Sequence, residues 1–233
     1  DASQPADAAD TQEQQRESER AAADEKRLAL ARRTGLLNFL PRVLPSEQIA
    51  SLAPHLRALS LAEANVEDAD VLCLSQVPFL SLGTLELTAN RLSIVWPAGA
   101  CWRMPLLERL NLSRNPGLIL PESGWAGMTR LRELHVSTCA LTALPPSLGE
   151  LASLRLLDVS RNQLAGMPDQ LGALHALKDL DMSCNHVECL PIAWAGMTQL
   201  RRLNVENNCL TGCPREILNL DSLGSGRHSP VCV

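Results

Sequence analysis

The stretch Leu154-Arg155-Leu156-Leu157-Asp158-Val159-Ser160-Arg161-Asn162-Gln163-Leu164-Ala165-Gly166-Met167-Pro168 decides the fold. Leu157 and Val159 stand two apart, so in a short strand they share one face while Asp158 takes the other. Written as L-x-x-L-x-L-x-x-N-x-L-x-x-L-P, the same order returns at Leu177-Leu180-Met182-Asn185-Val187-Leu190-Pro191 and at Leu200-Leu203-Val205-Asn208-Leu210-Cys213-Pro214. Upstream it reads Leu131-Leu134-Val136-Cys139-Leu141-Leu144-Pro145 and Leu107-Leu110-Leu112-Asn115-Leu120-Pro121. Leu82-Leu85-Leu87-Asn90-Leu92-Val95 keeps the pattern, and Leu56-Leu59-Leu61-Val66 keeps it with Ala64 in the Asn position. The starts at 56, 82, 107, 131, 154, 177 and 200 are separated by 26, 25, 24, 23, 23 and 23 residues. Seven registered copies mark a chain built from one small unit used repeatedly.

Composition agrees. Of 233 residues 44 are Leu, against two Phe, four Trp and no Tyr, so packing rests on one branched side chain. The near-identical pieces WAGMTRL at Trp125 and WAGMTQL at Trp194 point to duplication of whole units. The repeat resembles the leucine-rich repeat family over Leu56–Ser222. Units near 23 residues, the LP that closes them and the LGxL limb resemble the intracellular, Ras-suppressor-like class. That resemblance implies a protein-binding scaffold or a subunit of a larger assembly, and it names no partner.

The physics of the unit stands without the family. One unit cannot bury its Leu face alone, so neighbouring strands stack in parallel about 4.8 Å apart. The expected fold is α/β: a right-handed solenoid with a curved parallel sheet of seven or eight strands on the concave side. Short helices or 3-10 turns return the chain on the convex side. The strand core is expected at Leu59/Leu61, Leu85/Leu87, Leu110/Leu112, Leu134/Val136, Leu157/Val159, Leu180/Met182 and Leu203/Val205. The Asn after each strand can spend its amide on backbone groups in the bend. Cys139 fills that slot as a small buried side chain with weaker bonding, and Trp125 and Trp194 replace the Leu of the convex limb.

Outside the repeats, residues 1–35 hold eight acids and six bases and form a charged arm. Asp1–Asp10 reads as disordered, and a helix is expected from Thr11, with Lys26, Arg27, Arg32 and Arg33 near its end and Gly35 as its stop. Residues 36–55 form a degenerate opening cap, 56–222 the seven repeats and 223–233 a tail. Two insertions, Trp96–Met104 and Asn115-Pro116-Gly117, lengthen their units.

A net charge of −5 argues against a nucleic-acid binder, whose footprint is basic. No run approaches the ~18 apolar residues of a membrane span. The eight cysteines are read as reduced thiols of an intracellular, most simply cytoplasmic, protein, with Cys139 and Cys213 facing inward. An organelle or cytoskeletal assembly fits if a targeting segment once preceded Asp1. Walker A, G-x-G-x-x-G, H-E-x-x-H and G-x-S-x-G are absent, and the expectation is no catalysis and no cofactor. His186 and Cys209 share a slot in adjacent units near Cys184 and Cys189, but the spacing is not that of a zinc site.

The concave face is the candidate site. Between the two strand apolar residues lie Ser60, Glu86, Asn111, His135, Asp158, Asp181 and Asn204. The next outward position holds Ala62, Thr88, Ser113, Ser137, Ser160, Ser183 and Glu206. Arg109, Arg114, Arg161 and Arg202 are read as flanking this line, and Trp96 and Trp102 as a loop contact or packing lid. The functional expectation is a non-catalytic adaptor or scaffold that binds a protein through this face. The alternative is a structural subunit of a large organellar or cytoskeletal assembly, held by its arm, the loop 96–104 and its C-terminal end.

Overall fold

A computed structural model describes residues 19, 22–38, 50–95 and 104–211. Its centre is a single parallel sheet of eight three-residue strands in strict chain order. They are β1 (Leu36–Asn38), β2 (Ala58–Ser60), β3 (Thr84–Glu86), β4 (Arg109–Asn111), β5 (Glu133–His135), β6 (Leu156–Asp158), β7 (Asp179–Asp181) and β8 (Arg202–Asn204). Seven steps of about 4.8 Å make the sheet roughly 34 Å long. No strand order is crossed, because each chain return lands one unit further on. This is the expected leucine-rich-repeat solenoid.

The register follows the repeat residue for residue. Leu37, Leu59, Leu85, Leu110, Leu134, Leu157, Leu180 and Leu203 pair in succession across the sheet. The inward pairs from Leu59/Leu61 to Leu180/Met182 are buried. The last pair is looser: Val205 is buried and Leu203 only partly so. Ordinary ladder bonds run on past each strand, as where Leu61 N–H donates to Glu86 O and Leu87 N–H to Asn111 O.

The Asn ladder closes each bend. Asn162 donates from Nδ2 to Val136 O at 2.9 Å and Val159 O at 2.8 Å, and its Oδ1 accepts from Cys139 N–H at 2.9 Å and Leu141 N–H at 3.1 Å. Asn90, Asn115, Asn185 and Asn208 make equivalent bonds. Each amide ties its own strand end to the unit before it. Cys139 sits in this slot, buried, with its thiol toward Leu112 O at 3.3 Å. The residue before the ladder position is left-handed in every unit: Glu63, Ala89, Arg114, Thr138, Arg161, Cys184 and Asn207. In the two units without the Asn, the residue after the slot is left-handed as well, at Asn65 and Ala140.

The convex limbs are 3-10 segments at Trp125–Gly127, Pro146–Glu150, Asp169–Ala173 and Ile192–Gly196. Trp125 and Trp194 are buried there, and their indole N–H groups donate to Pro121 O and Pro168 O. Gly172 explains the LG of the limb, since a Cβ on it would stand 2.3 Å from Ala193 O. The 26-residue first unit has room for a true helix, Asp68–Ser75, begun by a capping box of Glu67 with Asp70. Asp68 then accepts from the N–H groups of Ser93 at 2.8 Å and Ile94 at 3.1 Å, clamping the next unit.

The arm is helical over 22–34 and stops at Gly35, whose φ is 71°. Ala31 packs into the core and Leu28 against it. Asp1–Asp10, residues 39–49 of the opening cap, Trp96 and Trp102 with their loop, Cys213 and the tail lie outside the described residues.

Candidate functional site

Period-two geometry turns two positions of every strand away from the Leu core, and a third follows just after it. The candidates Glu86, Asn111, His135, Asp158, Asp181 and Asn204 stand in one unbroken row, each the register partner of the next. All are partly exposed. Arg109 and Arg202 lie alongside this line, in a second outward row on the same face. That row runs Thr84, Arg109, Glu133, Leu156, Asp179, Arg202. It is the outward residue before the inward Leu, and strand alternation places it on the same face as the residue after. The sequence reading covers the positions between and after the two apolar residues, so Glu133, Leu156 and Asp179, which precede them, escape it, although alternation alone identifies them as outward. Arg114 and Arg161 lie beyond the strand ends, exposed, on left-handed backbone.

Charge is arranged in a short relay. Arg109 Nε meets Glu133 Oε2 at 2.7 Å, Glu133 stands 3.8 Å from His135 Nε2, and His135 Nδ1 stands 3.7 Å from Asp158 Oδ2. The hydrogen bond and charge of Arg109 hold the Glu133 carboxyl below the usual range and raise the guanidinium in turn. For Asp158 burial pulls upward, but hydrogen bonds from His135 and from the hydroxyl and N–H of Ser160 outweigh it, so its carboxyl is held low. At the far end Arg202 pairs with Asp179.

A second pattern is invisible in the sequence. Asp158 Oδ1 accepts from Ser160 N–H at 3.0 Å and Ser160 Oγ at 2.7 Å, and Asp181 does the same with Ser183 at 2.9 and 2.7 Å. Asn111 caps Ser113 N–H at 3.1 Å and Asn204 caps Glu206 N–H at 3.2 Å. These side chains are thus strand-end caps as well as surface groups; beyond the caps, Asn204 Nδ2 donates to Asp181 Oδ2 at 3.2 Å and Asp158 Oδ2 faces His135. Asp and Asn are interchangeable in the cap but not in charge.

The remaining chemistry is sparse. Among the described residues no group of three His, Cys, Asp or Glu could hold a metal ion, so His186, Cys184, Cys189 and Cys209 do not converge. Cys73, Cys139, Cys184, Cys189 and Cys209 are free thiols, and burial pushes the Cys139 thiol up, away from reactivity. A cavity of about 270 Å³ opens beside the Asn115-Pro116-Gly117 insertion, between Leu118–Leu120 and Leu141–Pro145. Among the described residues no helix is long and apolar enough to cross a membrane.

Comparison with known proteins agrees with this geometry. Residues 129–187 match the leucine rich repeat family. No curated protein matches the chain in sequence. Among 322 solved chains of similar fold is the leucine-rich-repeat ectodomain of the plant membrane receptor kinase GASSHO1/SCHENGEN3 from Arabidopsis thaliana, in complex with CASPARIAN STRIP INTEGRITY FACTOR 2. The match has a TM-score of 0.57 and 21% identity; it covers 78% of this chain and 25% of that one. This chain therefore spans about a quarter of that ectodomain chain, and the likeness is one of fold.

Proposed function

We propose that this solenoid is a protein-interaction module, an intracellular adaptor or scaffold whose concave face contacts a protein partner. One observation carries the reading: two rows of side chains, polar or charged except for Leu156, run in register across the outward face of the sheet, without any covering element among the described residues. A surface that is long, narrow and studded with short hydrogen-bonding groups suits an elongated polypeptide better than a small molecule. The solved ectodomain in complex supports a binding role for this kind of fold.

The test compares faces. A photo-crosslinking residue placed at Thr84 or Ser137 on the sheet is expected to capture a defined protein in cells, while one at Gln170 on the convex limb captures none. Crosslinks from Gln170 alone would overturn the proposal. A second reading, a subunit held by its ends, draws on Leu30 and Leu36, both more than half exposed at the N-terminal end. Under that reading, deleting residues 1–33 releases the partner and concave substitutions do not.

A further inference from the structure

We infer, resting on the concave-face reading, that the centre of this face receives a Lys or Arg from an extended basic segment of the partner. Its aliphatic stem lies on Leu156 and its charged head meets Asp158 and Asp181. The charge count of the face leads there. Its outward positions carry six carboxylates, Glu86, Glu133, Asp158, Asp179, Asp181 and Glu206, against two guanidiniums, Arg109 and Arg202. Both guanidiniums are spent at the flanks, on Glu133 and Asp179. Asp158 and Asp181 are register partners on adjacent strands, and no Lys or Arg among the described residues pairs with either.

Carboxylates set side by side on neighbouring strands are a pairing that a partner cation can bridge. Both aspartates commit Oδ1 to a Ser cap, which fixes their rotamers. Asp181 Oδ2 also accepts from Asn204 Nδ2 at 3.2 Å, and Asp158 Oδ2 stands 3.7 Å from His135 Nδ1; each carboxylate oxygen keeps further lone-pair capacity for a partner. Two fixed acceptors about one strand spacing apart, ~4.8 Å, suit the fork of a guanidinium or a bridging ammonium. Leu156 makes the site more than an acidic patch. It is the single large apolar side chain at an outward strand position from β2 to β8, half-buried between its register partners Glu133 and Asp179. Apolar floor beside paired carboxylates matches a side chain with a greasy stem and a charged tip. The charge on the rest of the face extends the preference along the segment.

Random peptides of roughly ten residues, whose extended length at ~3.3 Å per residue covers the sheet, are selected by display on the full chain and measured by fluorescence anisotropy. The recovered sequences should be rich in Lys and Arg and should lose affinity as salt is raised. The double variant Asp158→Asn/Asp181→Asn keeps the caps, as Asn111 and Asn204 do, and should weaken binding by about tenfold or more. Leu156→Trp, which fills the floor, should abolish it; circular dichroism and melting confirm that each variant is folded. Peptides without basic residues, blocked by Leu156→Trp yet indifferent to the double variant, would overturn the inferred chemistry and leave the concave face standing. Binding untouched by every variant, or no selected peptide at all, would overturn the inference, and in the first case the concave-face reading with it.

Discussion

A single strand residue in this fold answers to two demands, and Asp158 shows both. Its carboxylate faces a partner surface, yet the same group ties down Ser160 and leans on His135. Because the folded state holds this carboxyl below its ordinary value of 3.8, Asp158 adds stability that is complete above that value. The contribution is lost as pH falls through the lower, folded value. Asp158→Asn should therefore melt below wild type at neutral pH, and the gap should close on acidification; a gap constant in pH would show that the ionised form is not favoured by folding. Thr138 poses a different residue-scale problem: a β-branched side chain on left-handed backbone, φ 57°, exposed at the bend. Asn207 occupies the equivalent position further along the solenoid, with a side chain far more at ease there. Thr138→Asn should raise stability by about 1 kcal/mol, or roughly 2–4 °C in melting temperature. Which side chains face outward is legible in the sequence, since alternation decides it. The caps are not, because a bond from a side chain to the N–H two residues on depends on rotamer and bend.

At the scale of the element, the strands are legible in the sequence and the convex limbs only in outline. Leu157 and its seven counterparts in the other strands announce themselves through spacing, whereas nothing in the spacing separates a helix from a 3-10 turn. The first unit folds as a helix because its greater length accommodates two turns and because Glu67 and Asp70 cap its start. Later, shorter units tighten into 3-10 segments that pack limb on limb. That packing explains Gly149 and Gly172, one repeat apart, whose missing side chains let the next limb's carbonyl approach. A Cβ at 149 would stand 2.3 Å from Gln170 O, as one at 172 would from Ala193 O. Both obstacles are backbone and cannot swing aside. Gly172→Ala should cost about 1–3 kcal/mol by overpacking, read as a lower denaturant midpoint with unchanged slope. Gly166, with open space where a Cβ would sit, is the control and should tolerate Ala without loss.

The whole molecule is one-dimensional: each unit touches its neighbours, so stability is a sum of units and interfaces rather than the property of one central core. The even spacing of the repeats makes this legible in the sequence, and the burial shows where it weakens. Leu157, in the middle of the sheet, is fully buried between strands on both sides, whereas Leu203 on β8 is only partly covered and Val205 beside it keeps residual exposure. Removing the two side chains should therefore have different reach. Leu157→Ala deletes packing shared by β5, β6 and β7 and should cost about 2–5 kcal/mol through transfer and cavity contributions. Because the units are coupled, amide exchange should quicken on both sides of the cavity. Leu203→Ala removes less buried surface and has one strand neighbour among the described residues, so its loss should stay local. Faster exchange of the amides at 202–208, with β4 to β6 as protected as before, is the expected pattern from hydrogen-exchange mass spectrometry. Equal, global loss of protection from both substitutions would mean that the solenoid opens as a single cooperative unit. In that case the interfaces between repeats, not the repeats themselves, would carry nearly all of its stability.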